Sequence, residues 1–214
     1  MSLPLHGQVQ GEGEPLLLLH GLFGSLENLG GLTRRLSDRW QIHAIDLRNH
    51  GRSPHADTMS YPEMAGDVLA YMDRHGLEQA SILGHSMGGK VAMQLALDHP
   101  GRVDRLIVAD IAPVAYPRRH DDVFNGLRAV DTAGLKNRRE ADASIGEFVT
   151  TADIRSFLLK NLVSAGEGKP GYRWRLNLDV IEHDYLNLTA APDSEGVFEG
   201  PTLFLKGGDS DYLR

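Results

Sequence analysis

The segment Gly84-His85-Ser86-Met87-Gly88 has the pattern G-x-S-x-G. In this pattern a serine occupies a sharp turn between a strand and a helix, where its hydroxyl can attack an electrophilic carbon. Gly84 and Gly88 would leave room for the strained backbone of such a turn. The N–H of Met87 would open the helix, where backbone donors favour a developing negative charge. We interpret Ser86 as the nucleophile and Met87 N–H as an oxyanion donor, with a chance small-residue turn as the alternative.

A second oxyanion donor is expected in the segment HGLFG at residues 20–24. The segment follows an apolar run, and Gly21 and Gly24 allow its backbone to approach a substrate closely. Leu22 N–H is the candidate donor, while a plain strand-to-helix turn is the alternative. His20 is expected to be structural and to bond nearby backbone, because no further metal ligands cluster around it.

A third polar segment, DLRNHGRS at residues 46–53, also follows an apolar run. It contains Asp46, Arg48 and His50, which could be catalytic. Buried polar groups at a strand end must, however, satisfy their hydrogen bonds. We therefore interpret these three side chains as holding their own loop in place.

A serine nucleophile needs a base and a carboxylate that orients the base. Three aspartates end predicted strands at the same edge of the sheet as Ser86: Asp110, Asp209 and Asp211. Aspartate is also common in loops and helix caps. Spacing alone does not choose among the three.

The elements that would position these residues alternate along the chain. Short apolar runs predict strands, and segments with helical spacing separate them. Parallel strands joined by helical crossovers form a mostly parallel sheet with helices on both faces, and its ligand site lies at the carboxyl ends of the strands. The predicted fold class is α/β. The strands are predicted at residues 15–19, 41–46, 80–84, 105–109 and 202–206, and helices at 61–75 and 87–97.

About ninety residues separate the last two predicted strands, which is more than one crossover needs. Helical patches at residues 121–130, 139–149 and 154–163 predict a helical cap inserted into the core. The predicted domains are a first part of the core at residues 1–113, the cap and its connections at 114–200, and a final, truncated part of the core at 201–214.

Composition restricts the classes of function. A formal charge of −7 without a basic stripe argues against a nucleic-acid partner. The absence of cysteine excludes disulfides and thiolate chemistry. The sequence shows no signal peptide and no apolar run of membrane-spanning length, so a soluble cytoplasmic protein is expected. No metal site is predicted.

Several motifs together resemble a known family. They are HGLFGS at residues 20–25, DLRNHGRS at 46–53, GHSMGGK at 84–90, DIAP at 110–113 and GGDSDY at 207–212. They are similar to the bacterial YbfF-type esterases and their mitochondrial ABHD-type relatives within the α/β-hydrolases. The resemblance implies Asp110 as the acid, no cofactor, and hydrolysis of short-chain carboxylic esters or acyl thioesters. A small-molecule ester is then the expected partner, and the oligomeric state stays open.

The resemblance further implies a catalytic histidine after one more strand, beyond Arg214. Of the histidines present, His183 in the predicted cap is the least improbable substitute. Two alternatives remain: a non-catalytic ligand-binding scaffold of the same fold, and a cofactor-free haloperoxidase or carbon–carbon hydrolase. A dehalogenase or epoxide hydrolase would need aspartate in place of Ser86.

We predict that the 214-residue chain is a poor catalyst, and that extending it through the next strand, loop and helix, about forty residues, restores activity. Without a base, Ser86 keeps its ordinary acidity and only the oxyanion donors and binding remain to help. The strand at residues 202–206 should also be an unprotected edge. Both lengths would be assayed on a short-chain nitrophenyl ester after intact-mass measurement. Equal turnover would mean that a histidine already present is the base.

Overall fold

One central sheet organises the computed structural model, which describes residues 2–166 and 168–213. Five of its strands match the predicted apolar runs, and a further strand near the start was not predicted. The strands in chain order are β1 (Gly7–Gln10), β2 (Glu14–Leu19), β3 (Trp40–Ile45), β4 (Ala80–His85), β5 (Val103–Ala109), β6 (Leu162–Ser164), β7 (Tyr172–Trp174) and β8 (Thr202–Leu205).

The sheet has six strands in the order β1-β3-β2-β4-β5-β8. Strand β1 is antiparallel to β3, and the other neighbours are parallel. β6 and β7 form a separate antiparallel hairpin. The carboxyl ends of β2, β3, β4 and β5 therefore meet at one edge, as the sequence predicts.

Among residues 2–166 and 168–213, eight α-helices connect or extend the strands. They are α1 (Gly30–Leu36), α2 (Tyr61–Arg74), α3 (Met87–Asp98), α4 (Asp121–Arg128), α5 (Arg138–Gly146), α6 (Ala152–Leu159), α7 (Leu178–His183) and α8 (Tyr185–Thr189). Short 3-10 helices occur at Leu26–Leu29 and Pro100–Arg102. None of the helices in the described part of the chain is long and apolar enough to cross a bilayer.

Strand β2 shows how both faces of the sheet are covered. Leu16 and Leu18 belong to one apolar cluster, which includes residues of α1 and β3. Leu17 and Leu19 belong to a larger cluster that includes α2 and α3. Successive strand residues point to opposite faces, so a continuous run of buried leucines requires cover on both sides. The predicted α/β class with a mostly parallel sheet is confirmed.

The segment between β5 and β8 contains α4 to α8 and the β6–β7 hairpin. Helices α4, α5 and α6 overlap the three predicted helical patches, although α5 and α6 begin one and two residues earlier than predicted. We call residues 114–200 the insertion; their treatment as a separate domain stays a prediction. At the far edge of the sheet, β8 leaves Leu203, Phe204 and Leu205 between 44% and 51% exposed, as expected for an unprotected edge.

Candidate active site

Ser86 occupies the turn between β4 and α3 in a strained conformation, with φ 51° and ψ −118°. Positive φ is rare for a residue with a side chain and costs of order 1–3 kcal/mol. The turn fits because Gly84 and Gly88 have no Cβ. A Cβ on Gly84 would lie 2.1 Å from the Gly88 carbonyl oxygen, and one on Gly88 would lie 2.5 Å from the Leu19 oxygen. The predicted need for both glycines is confirmed.

In the part of the chain that the structure describes, four non-glycine residues have positive φ: Phe23, Asn49, Ser86 and Asp110. Each follows one of four neighbouring strands, β2, β3, β4 and β5 respectively. All four therefore lie at the carboxyl edge of the sheet. Backbone strain of this kind concentrates at functional sites, where surrounding contacts maintain it.

The loop after β2 carries the first of the two predicted oxyanion donors. Phe23 N–H donates to His50 Nε2 at 3.2 Å, and Gly24 N–H donates to the Gly21 carbonyl at 2.9 Å. Within residues 2–166 and 168–213, neither Leu22 N–H nor Met87 N–H donates to a protein acceptor. Both residues line the same cavity as Ser86. The structure thus brings the two predicted oxyanion donors together with the predicted nucleophile.

Two buried histidines support this loop as neutral rings. His20 donates from Nδ1 to the Gly21 carbonyl at 2.8 Å and accepts Leu47 N–H at Nε2 at 3.0 Å. His50 donates from Nδ1 to the Arg48 carbonyl at 2.9 Å and accepts Phe23 N–H. Burial lowers the pKa of His20 to about 4 and that of His50 to about 3. The structural interpretation of both rings is confirmed.

The loop after β3 is held by a buried ion pair and by hydrogen bonds from backbone N–H groups to a carboxylate, as expected. Arg48 Nε lies 2.7 Å from Asp67 Oδ2, and both side chains are buried. Asp46 accepts Leu26 N–H at 2.7 Å and Arg52 N–H at 2.8 Å. The Asp46 and Arg48 side chains therefore have structural partners for their charges.

The three candidate acids have different surroundings. Ser86 N–H donates to the carbonyl of Ala109, the last residue of β5, at 2.9 Å. Asp110 is the next residue along the chain, so its backbone lies close to Ser86. Asp110 Oδ1 accepts Gly207 N–H at 3.1 Å. Asp211, in contrast, binds the Arg119 guanidinium through both carboxylate oxygens at 3.0 and 3.1 Å. Asp209 is exposed.

The cavity beside Ser86 is formed by the sheet edge and the insertion together. Its lining combines apolar side chains with tyrosines and cationic groups. The lining residues are Leu22, Tyr61, Ser86, Met87, Lys90, Ile111, Tyr116, Pro117, Arg119, His120, Tyr185, Leu188, Thr189 and Tyr212.

Lys90, one turn after Ser86 on α3, was not predicted as a site residue. Its side chain is buried, and Nζ donates to the Thr189 carbonyl at 3.2 Å and to the Ala190 carbonyl. Nζ also lies 4.8 Å from the centre of the Tyr116 ring. Burial lowers its pKa to about 8. The sequence feature that could have identified Lys90 is a single lysine in the mostly apolar helix segment MGGKVAMQLAL.

The structure corrects the choice of His183 as the substitute base. That side chain is 84% exposed and its Nε2 faces Asp184, at 4.0 Å from Oδ1. His120 instead lines the cavity with Ser86, and its Nδ1 bonds the Tyr185 hydroxyl. His120 directly precedes α4. Its position in the sequence does not predict that it lies near Ser86.

Comparison with known proteins places the chain in a family. A family model described as alpha/beta hydrolase fold matches residues 14–205. Esterase YbfF of Escherichia coli (strain K12) is 39% identical over 207 residues, covering 96% of this chain and 78% of that protein. The sn-1-specific diacylglycerol lipase ABHD11 of Mus musculus is 40% identical, covering 93% of this chain and 66% of that protein.

A solved structure described as a marine microorganism esterase superposes with a TM-score of 0.96 at 41% identity, covering 100% of this chain and 84% of that one. The chain belongs to the α/β-hydrolase fold family, among relatives named as esterases and lipases. The resemblance predicted from the motifs is confirmed.

The neutral histidines predict a pH-dependent stability. An unfolded histidine has a pKa of 6.5, whereas His20 and His50 keep pKa values of about 4 and about 3 in the fold. The unfolded chain therefore binds more protons below pH 6.5, and stability falls with pH from 6.5 to about 4. Each histidine should contribute about 1 kcal/mol per pH unit, measured by urea unfolding. A stability profile that stays flat between pH 6.5 and about 4 would contradict the assignment.

Proposed function

We propose that this protein is a serine hydrolase of carboxylic esters, with Ser86 as the nucleophile. One observation carries the proposal: the strained Ser86 turn shares one cavity with Leu22 and Met87, whose N–H groups have no protein acceptor among the described residues. A merely structural serine would not require the strain, and backbone donors without a protein partner beside a cavity are available to a bound oxyanion. The esterase and lipase names of the relatives support the same reaction class.

In the proposed reaction, a histidine removes the Ser86 proton as the hydroxyl oxygen attacks the ester carbonyl carbon. The carbonyl oxygen becomes an oxyanion that accepts hydrogen bonds from Leu22 N–H and Met87 N–H. The histidine then protonates the departing alcohol, which leaves an acyl group on Ser86. Water activated by the same histidine releases the acid and regenerates the serine.

Asp110 is the proposed partner of that histidine. It follows the strand next to Ser86, and Gly207 N–H engages one carboxylate oxygen, Oδ1. Asp211 is less suited, because its ion pair with Arg119 uses both oxygens. The position of the histidine beyond Arg214 stays a prediction, and His120 is the alternative that lines the cavity.

The proposed substrates are short-chain acyl esters or acyl thioesters. Leu22, Ile111 and Leu188 offer apolar contacts beside Ser86, and the tyrosines of the insertion bring hydroxyl groups to the same cavity. The reaction needs no cofactor as written. In this proposal the insertion acts as the cap that sets acyl preference.

Ser86→Ala, in a protein that includes the predicted histidine, should lower turnover of a nitrophenyl ester by about four to six orders of magnitude. The triad acts as a unit, so removal of the nucleophile removes most of its contribution. Unfolding measurements should show a folded protein, and a fluorophosphonate probe should no longer label it. Ester hydrolysis near the wild-type rate would refute the proposal.

Asp110→Asn should lose most of the activity, because the histidine would lose the partner that fixes its tautomer. Asp209→Asn and Asp211→Asn serve as matched controls and should be mild. All three would be compared by kcat/KM on the same ester. A severe loss in Asp211→Asn with a mild one in Asp110→Asn would assign the acid to the later strand.

A further inference from the structure

We propose that the insertion builds part of the oxyanion site: Asn161, in the turn between α6 and β6, positions Leu22 N–H through the Phe23 peptide. Asn161 Nδ2 donates to the Phe23 carbonyl at 2.7 Å, although 138 residues separate the two in sequence. The inference rests on the proposed function, since Leu22 N–H is a donor there.

Asn161 is itself held by the insertion. It is 2% exposed, and its Nδ2 also donates to the Leu158 carbonyl at 3.2 Å. Its backbone carbonyl accepts Arg175 N–H at 2.8 Å. The side-chain amide therefore reaches Phe23 from a fixed position.

Two consecutive contacts transmit this position to Leu22. The Phe23 carbonyl and the Gly24 N–H belong to one planar peptide unit. Gly24 N–H donates to the Gly21 carbonyl, and that carbonyl belongs to the same peptide unit as Leu22 N–H. Fixing the Phe23 carbonyl therefore orients the plane that carries the proposed oxyanion donor.

The loop needs this support because Phe23 has a φ of 60°. Its ring packs edge-on against Phe124 at 5.4 Å and His120 at 5.9 Å between ring centres, and both belong to the insertion. His50 holds the Phe23 N–H from the core side. Without Asn161, the buried Phe23 carbonyl would lose its partner and the strained conformation would lose one of its restraints.

An oxyanion donor acts in the transition state, so its displacement should lower kcat and leave KM nearly unchanged. A misplacement of about 1 Å can reduce a rate by about 10²-fold. We expect Asn161→Ser to lower kcat by about 10-fold to 100-fold. The serine hydroxyl lies one bond closer to the backbone than Asn161 Nδ2 and should not reach the Phe23 carbonyl. Asn161→Asp is the second variant, with the same shape and no donor when ionised.

Gln94→Ala is the matched control. Gln94 is also a buried amide, and its Nε2 donates to the Asp193 carbonyl at 2.8 Å, far along α3 from Phe23. The variants would be made in the form of the protein that hydrolyses a short-chain nitrophenyl ester, with Ser86→Ala in parallel. Melting curves would set an assay temperature at which every variant is folded, and kcat, KM and the rate of fluorophosphonate labelling would be measured.

The expected result is a fall in kcat and labelling rate for both Asn161 variants, with KM within about twofold of wild type and Gln94→Ala unaffected. A wild-type kcat in folded Asn161 variants, with Ser86→Ala inactive, would overturn the positioning role alone. Equal losses in the Gln94 and Asn161 variants would reduce Asn161 to a structural residue. An active Ser86→Ala would instead remove the proposed function and this inference with it.

Discussion

The close approach of α3 to the end of β2 is the contact on which the site depends. A Cβ on Gly88 would lie 2.5 Å from the Leu19 oxygen and 2.6 Å from the His20 oxygen, so only glycine permits it. This approach brings the first N–H of α3 beside the loop that follows β2. It also fixes the direction in which the chain must turn at Ser86. The strain of that turn, of order 1–3 kcal/mol, is opposed by α3, whose residues from Met87 to Ala96 are all buried.

Neutral imidazole has a particular use at this sheet edge. Loops that leave parallel strands carry backbone N–H groups that no ladder satisfies, and His20 and His50 accept two of them at Nε2. Each ring meanwhile donates from Nδ1 to a carbonyl, so one side chain satisfies a donor and an acceptor. A protonated ring could not accept, which is why burial and a lowered pKa accompany this role. Among the described residues, His50 thus accepts Phe23 N–H, whereas Leu22 N–H has no protein acceptor.

The sequence was sufficient where local pattern determines structure. The leucines of β2 are buried on both faces, and that pattern is visible as a continuous apolar run. Strand β1 was missed because GQVQ contains one apolar residue, Val9, which is 49% exposed at the edge of the sheet. Helix α1 was missed because it begins with Gly30 and Gly31, which disfavour helix. Motif spacing identified the loops that meet at Ser86, because parallel strands end at a common edge.

Contacts between distant segments could not be predicted in the same way. Nothing in the sequence around Asn161 indicates that it meets Phe23, and no motif around His120 or His183 indicates which of the two approaches Ser86. Such contacts depend on how the insertion folds back over the sheet.

An oxyanion site is effective when its donors are already in place and need no rearrangement during the reaction. Here the two proposed donors, Leu22 N–H and Met87 N–H, belong to separate segments of the core. The insertion contacts both segments. Asn161 bonds the loop that carries Leu22, while the Thr189 and Ala190 carbonyls bind Lys90 on the helix that begins with Met87. Removing the buried Lys90 charge would leave those carbonyls without their donor, and removing Asn161 would do the same to Phe23. Under the proposed function, the insertion therefore has two tasks that differ physically. Its cavity-facing side chains select the substrate, and its polar contacts with the core hold the donors at the spacing that the transition state requires.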